Sequence, residues 1–557
     1  MWNTFAELLA DRAFTAPDLP GYRFLPRTGE AQVLDYRGLY RRAGSTAAAL
    51  LEHAAPGDRA LVLLPPGLDF VVAIFGCLQA GVIAVASTVP HAGKAERRLD
   101  TVTRAASDAR PVVVITTPAL VPVLRALNGP WRDVHFITDL QRADADVPPR
   151  AAVDPGAPAI IQYSSGSTRT PKGVVLSQRN LLANIAAVHR KFQTTPASHG
   201  VIWLPPHHDM GLIGGVLGPI FGGFGVTLMS PVSFLQQPLR WLQAISDTRA
   251  TISGGPDSAY RWCIERISEA QRASLDLSSW EVAFNGAEPI RPATLERFAA
   301  AFAPCGFRKR AFYPCYGLAE ATLLVTGPDR ASAGAEGAGV PAGRVGCGGP
   351  ADDHEVRVVQ PESLQECPEG TIGEIWVRGP SVASGYWNDP AETARVFGWT
   401  LNGRGSFMRT GDLGVIAGGS LFVTGRLKDA IVIAGRKYWA EDVEASLDDL
   451  HPDLMHGACA AFAVEVEGQE RLAIVHEVKR HATPQCHDDL VAAIRRRVAD
   501  QWALPVHAIR LLKPGALPRT TSGKPRRFVC RAALAASTLD VWTPASGSPF
   551  EVRDTDG

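Results

Sequence analysis

Short apolar runs alternate with longer stretches of helical periodicity over most of this chain. Arg59–Pro65 and Val112–Thr117 are nearly unbroken aliphatic runs and predict buried strands. Asp69–Ala80 predicts a helix that leads into a strand over Val82–Val89, and Pro118–Leu127 predicts another helix. The opening segment, MWNTFAELLADRAF, predicts an amphipathic helix. Alternation of this kind implies βαβ units and largely parallel sheets. Asp139–Pro158 is polar and proline-rich and reads as a linker; a strand over Ala159–Tyr163 then runs into a loop of glycine and serine. Farther on, Gly373–Arg378 and Ser420–Thr424 predict strands of a β-rich region. From Arg426 the pattern restarts as strand, helix, strand, helix, which predicts a small separate α/β domain. Ser546–Gly557 is polar and reads as a disordered tail.

Composition narrows the class. A chain of 557 residues exceeds one compact core and implies about three or four structural units. Lys+Arg and Asp+Glu both number 56, so nothing predicts binding of nucleic acid by bulk charge. The 9 cysteines are scattered without a CxxC pair, which predicts reduced thiols and a cytoplasmic protein rather than a disulfide framework or zinc site. The N-terminus lacks a basic start followed by an apolar run, so no signal peptide is expected. The most apolar stretch, Phe70 to Val85, is interrupted by Gly76, Gln79 and Gly81; it predicts a buried helix and strand, not a membrane span.

Five motifs carry candidate chemistry. The first is Tyr163-Ser-Ser-Gly-Ser-Thr-Arg-Thr-Pro-Lys-Gly173. Glycine and small hydroxyl residues let backbone N–H groups approach phosphate oxygens, and Lys172 adds a positive charge. The string differs from a Walker A loop, which needs GxxxxGK[ST]. The second is Tyr313-Pro-Cys-Tyr-Gly-Leu-Ala-Glu-Ala-Thr322: Tyr316 offers an aromatic face to a purine, and Glu320 a hard oxygen ligand for Mg²⁺. In the third, Arg409-Thr-Gly-Asp-Leu413, a carboxylate after a tight turn suits two ribose hydroxyls; a plain turn is the competing reading. The fourth, Gly425 to Gly435, opens the last domain, and the fifth, Pro518 to Arg527, places Lys524 after a Ser-Gly turn. Gly337, Gly339 and Gly343 nearly spell a dinucleotide fingerprint, but no strand precedes them.

In this order the five motifs resemble the adenylate-forming superfamily of acyl-CoA ligases, nonribosomal adenylation domains and luciferases. Trp203-Leu-Pro-Pro-His-His-Asp-Met-Gly-Leu-Ile213, Phe234 to Trp241, Ile252-Ser-Gly-Gly-Pro256 and Ala283-Phe-Asn-Gly-Ala-Glu-Pro289 are similar to fatty acyl-AMP ligases. The resemblance implies an α/β fold: a large N-terminal domain over residues 1–424, with two αβ-layered subdomains and a β-rich one, then a small mobile α/β domain over 425–545 and a tail over 546–557. It also implies ATP and Mg²⁺, a carboxylic acid substrate, and an acyl carrier protein, or CoA, as acceptor. By motif match, Ser165, Gly166, Ser167, Thr168 and Lys172 would hold the β- and γ-phosphates. Gly286, Ala287, Glu288, Tyr316 and Gly317 would line the adenine site, Glu320 would hold the metal, and Asp412 and Arg426 would bind ribose. His208 would border the acyl carboxylate, Lys428 would be the hinge and Lys524 the catalytic lysine.

Two segments depart from the family's pattern. The insertion that usually follows the glutamate motif is shortened to a Gly/Ala-rich stretch between Thr326 and Gly348, which leaves CoA open as acceptor. Arg436 to Val443 replaces the usual run after the hinge, with Trp439 either at the thiol's entry path or packed as core. Phe234, Leu235, Trp241 and Ile213 fit an acyl tunnel or a core equally well. An acyl-CoA synthetase, a ligase for a small, aryl or inorganic acid, and a nucleotide-binding scaffold without catalysis are the competing functions.

Overall fold

The computed structural model describes residues 2–89, 95–127, 129–140, 153–164, 172–330, 343–433, 436–467, 469–520 and 523–542. The expected linker and glycine-rich connection, and the tail, lie largely or wholly outside these residues. The chain divides into two compact units, one running through Val423 and the other from Thr424.

The first unit contains two seven-stranded sheets. In one, Phe312–Pro314, Val282–Asn285, Ile252–Gly255, His199–Ile202, Gly225–Met229 and Tyr22–Leu25 lie side by side and parallel, and Gln32–Leu34 closes the edge antiparallel. In the other, His135–Ile137, Val113–Thr116, Arg59–Leu63, Ile83–Ala86 and Pro158–Ser164 run parallel. Lys172–Ser177 turns back antiparallel, and Gly385–Tyr386 completes that edge. A third, antiparallel sheet takes Glu355–Val359, Gly373–Arg378, Arg404–Ala417 and Trp399–Leu401.

The helix Leu68–Ala80 is apolar on nearly every face because it is buried on nearly every face. Its Gly76 allows the helix Tyr36–Leu51 to approach closely: a Cβ there would lie 2.6 Å from the Thr46 methyl. The predicted strands appear about two to four residues shorter, as Arg59–Leu63, Ile83–Ala86 and Val113–Thr116. The helix expected over Pro118–Leu127 is confined to Val121–Arg125. Pro158, assigned to the linker by composition, is already the first residue of a strand, a position where a missing N–H is tolerated.

The second unit opens with two antiparallel strands, Ala430–Ile433 and Arg436–Trp439, rather than with strand and helix. Leu454–Val466 and Gln469–Val478 pair antiparallel. The helix His487–Trp502 then crosses to Val506–Leu512, parallel to Gln469–Val478. The helices Ala440–Ser446 and Arg527–Ala535 complete the unit, which has its own buried core around Leu472, Ile474 and Ile494. All nine cysteines are free thiols. Among the described residues no helix is long and apolar enough to cross a membrane.

Two histidines, His476 fully buried and His189 largely so, set an acid limit on stability. His189 Nε2 donates to the Gly218 carbonyl at 2.8 Å, and His476 Nδ1 donates to the Glu477 carbonyl at 3.0 Å. Burial pushes both imidazoles down to about 4. The unfolded chain therefore binds more protons than the native one between pH 6.5 and 4, so stability falls as pH falls through that window and no penalty remains above it. Each histidine should cost about 2 kcal/mol at pH 5 relative to pH 7. Urea midpoints measured at the two pH values test this, and His476→Gln should flatten the dependence for the second unit.

Candidate functional site

The site in the first unit is assembled at strand ends. Val282–Asn285 delivers Gly286, Ala287 and Glu288, and the neighbouring strand Phe312–Pro314 delivers Cys315 and Tyr316, with Asn285 paired to Pro314. These are the C-terminal ends of parallel strands, where open α/β sheets bind ligands. Ala287 has a left-handed backbone (φ 68), and the Glu288 carboxylate accepts from the Ser258 N–H at 3.1 Å. Gly317 is irreplaceable on steric grounds: a Cβ would sit 1.7 Å from the Leu323 carbonyl oxygen.

Tyr316 reaches the third motif. Its hydroxyl donates to Asp412 Oδ2 at 2.8 Å, across 96 residues of sequence, and both side chains are buried. Asp412 lies within the long strand Arg404–Ala417, not in a free turn; the left-handed Gly411 (φ 70) and a register shift against Gly373–Arg378 reorient the strand there. Glu374 fastens that irregularity: it accepts from the Gly411 N–H at 3.1 Å, from Arg409 at 2.8 Å and from the Trp376 indole at 3.1 Å.

Lys172 and Glu320 meet through residues that the motifs did not indicate. Lys172 pairs opposite Ser164 at the end of two antiparallel strands. Its ammonium forms an ion pair with Glu392 and lies 5.2 Å from the centre of the Tyr386 ring. The Tyr386 hydroxyl donates in turn to Glu320 Oε1 at 2.9 Å. Arg395, at 2.6 Å, with Lys172 behind it, holds the Glu392 carboxyl down at about 2. Burial, then the Glu320 carboxylate, pushes the Tyr386 phenol up, so it stays a donor. The helix Pro390–Val396 that carries Glu392 starts with Asp389 as its cap and Pro390 at its first position. That Asp-Pro start is legible in sequence; the approach to Lys172 is not.

The turn carrying Glu320 is strained and braced. Thr322, a β-branched residue, holds φ 72, an uncommon conformation that persists only where the surroundings impose it. Its hydroxyl donates to the Ser381 carbonyl at 2.6 Å. Buried Asn184 donates to the Ala321 and Leu324 carbonyls and accepts from the Leu324 N–H.

His208 lies just before a π-helical segment, Met210–Leu217, capped by Asp209. The adjacent His207 carbonyl accepts from Gln162 Nε2 at 2.7 Å, which ties this loop to the strand leading into the first motif. Phe234, Trp241 and Ile213 are fully buried in the main core. Trp203 and Phe234 stack at 3.8 Å, and Trp241 donates to Ser253 at 2.8 Å. Leu235, by contrast, is 44% exposed. Ser165, Gly166, Ser167 and Thr168 lie outside the described residues.

The second unit holds Arg426, Lys428 and Lys524. Lys428 is in the single turn Leu427–Asp429. Lys524 and Thr520 exchange two hydrogen bonds, Thr520 N–H to the Lys524 carbonyl at 2.8 Å and Lys524 N–H to the Thr520 hydroxyl at 3.0 Å. Trp439, half-buried, ends its strand and precedes the helix Ala440–Ser446. Arg527 begins the helix after Lys524. It is bonded to Asp429 at 2.5 Å and to Glu444 at 2.7 and 2.8 Å, with Glu441 at 3.8 Å. Burial works against its charge, but Glu444, Asp429 and Glu441 outweigh that and raise its affinity for the proton.

Residues 9–387 match the family described as AMP-binding enzyme. The chain belongs to that family of adenylate-forming enzymes. Residues 428–541 match a second description, the AMP domain of Disco-interacting protein 2-like proteins. A medium-chain-fatty-acid–[acyl-carrier-protein] ligase of Moorena producens is 38% identical over 97% of this chain and 96% of its own length. A long-chain-fatty-acid–AMP ligase of Mycobacterium tuberculosis is 37% identical over 90% of this chain and 91% of its own. Among solved structures, a fatty acyl-adenylate ligase of Legionella pneumophila in complex with acyl adenylate and pyrophosphate is 38% identical, with a TM-score of 0.73 and coverage of 98% of each chain. The large and small domains expected from the five motifs agree with this family's fold.

Proposed function

We propose that this adenylate-forming enzyme joins a fatty acid to AMP, releasing pyrophosphate, and then passes the acyl group to the phosphopantetheine thiol of an acyl carrier protein. The observation that carries the reading is the buried pair of Tyr316 and Asp412, which brings an aromatic face beyond one strand end together with a carboxylate inside the bent strand Arg404–Ala417. The purine would lie on Tyr316 beside Gly286, Ala287, Glu288 and Gly317, and the ribose hydroxyls would donate to Asp412, with Arg426 also toward ribose. Ser165, Gly166, Ser167, Thr168 and Lys172 would take the β- and γ-phosphates, and His208 would border the acid. The similarity to ligases named for fatty acids and an acyl carrier protein supports the substrate and acceptor.

Glu320 fits a site for Mg²⁺: it supplies one carboxylate, and such ions commonly take one or two protein carboxylates plus substrate phosphates. Bound there, the ion would offset charge on the departing pyrophosphate. The chain's own residues position the rest. A carboxylate oxygen attacks the α-phosphorus, the bond to the β-phosphate oxygen breaks, and the electron pair leaves with pyrophosphate. Such a step depends on alignment and on cations facing the developing charge. Lys524 is assigned to the carboxylate and α-phosphate, with Lys428 as the hinge of the small domain.

Pyrophosphate release should occur with fatty acids from octanoate to palmitate, and hydroxylamine should trap the corresponding hydroxamates. Aryl acids and nitrite belong in the same screen. Absence of ATP consumption with every acid would overturn the reading. One observation keeps CoA as a second acceptor. Leu324–Gly327 pairs with Gly349–Pro350, and only 21 residues, 328–348, separate the two strands, where the family's pattern has a longer insertion. Offering CoA and a holo carrier protein in parallel separates the two acceptors.

A further inference from the structure

We propose that Arg527 is a positioning residue that ties the hinge turn to the base of the Lys524 loop, so that the two move as one piece. The inference rests on the assignment of Lys428 and Lys524 made above, and adds a residue with no direct contact to substrate. The loop folds back on itself at Lys524, through the paired hydrogen bonds with Thr520 and a bridge between Arg519 and Pro525. Arg526 N–H closes its base onto the Pro518 carbonyl at 2.8 Å. The next residue is Arg527, the first of its helix.

From that point the guanidinium joins its own helix to two other elements. One nitrogen meets Asp429, immediately after Lys428 in the hinge turn. Two others grip Glu444 on the helix Ala440–Ser446, a bidentate arrangement that fixes angle as well as distance. Glu444 Oε1 also accepts from the Ala461 N–H at 2.9 Å, which extends the connection into the central strand Leu454–Val466. The Arg527 side chain is 12% exposed and Asp429 16%, so solvent does not substitute for these contacts. A network needed only for stability would require the Glu444 arm; the Asp429 arm adds a link from the pivot to the lysine it has to deliver. Lysine cannot reproduce the link, because an ammonium lacks the planar fork.

Asp429→Asn weakens the hinge arm while leaving the Glu444 arm intact. In the full chain, assayed by ATP–pyrophosphate exchange with a fatty acid the wild type uses, kcat should fall about tenfold with KM for ATP held within about twofold, the pattern of a contact acting at the transition state. Arg527→Lys should do the same. Placed in the Lys524→Ala background, Asp429→Asn should change the residual rate by less than about twofold, because coupled residues are not additive. A wild-type kcat in folded Asp429→Asn overturns the proposal, and so does a full tenfold loss repeated without the lysine. If limited proteolysis finds the second unit unfolded in both Asp429→Asn and Arg527→Lys, the network is a folding requirement and the proposal falls. Failure of the underlying assignment reads out elsewhere, as wild-type exchange by Lys524→Ala alone.

Discussion

Lys524→Ala should lower the rate of adenylate formation by about 100- to 1,000-fold, the scale seen when one donor to a developing negative charge is removed. The attacking carboxylate and the triphosphate repel one another, so a cation between them is needed most where the new bond is half formed. Stabilisation confined to that point appears in kcat and not in nucleotide affinity. The Lys524 backbone is held by Thr520, and alanine keeps both backbone bonds, so the loop should survive the substitution. Pyrophosphate exchange and equilibrium binding of ATP, measured on the same preparation, test both halves of the expectation. Exchange at the wild-type rate would remove Lys524 from the reaction.

Asp412→Ala should act oppositely, raising KM for ATP by at least about 100-fold, because two charge-assisted hydrogen bonds of roughly 1.5–3 kcal/mol each are lost from ribose. A second cost comes from the protein itself. The Tyr316 hydroxyl, buried and donating to Asp412, would lose that acceptor, and its ring would no longer be held in place for the purine. Asp412→Asn keeps the shape and an acceptor oxygen for the tyrosine but removes the charge, so its KM should fall between wild type and alanine. Equal KM values for asparagine and wild type would show that the carboxylate's charge is not used in binding.

The legible parts of this molecule were those that one stretch of chain decides by itself. Arg59–Leu63 and Val113–Thr116 announced themselves because a strand buried on both faces must be aliphatic throughout. Motif order announced the family because each motif carries its own chemistry. Contacts between distant stretches were not legible. Glu392 is 220 residues from Lys172 and Tyr386 is 66 from Glu320, and no local pattern encodes such meetings. Phe234 and Leu235 show the same limit on a smaller scale. Both are large and apolar and adjacent in sequence, yet one is fully buried and the other nearly half exposed. Asp412 was identified from a turn-like string but sits inside a strand, since a single left-handed glycine can bend a ladder without ending it.

The edge strand Gly385–Tyr386 has a consequence for synthesis. It joins the Lys172 strand from some 210 residues downstream. A ribosome that has just released residue 330 has made every strand described in the two large sheets except this one. Until the edge and the helix bearing Glu392 emerge, Lys172 has neither its carboxylate nor its aromatic neighbour. Nascent chains stalled before that point should therefore accumulate as partly folded species with an open sheet edge, the kind that chaperones retain.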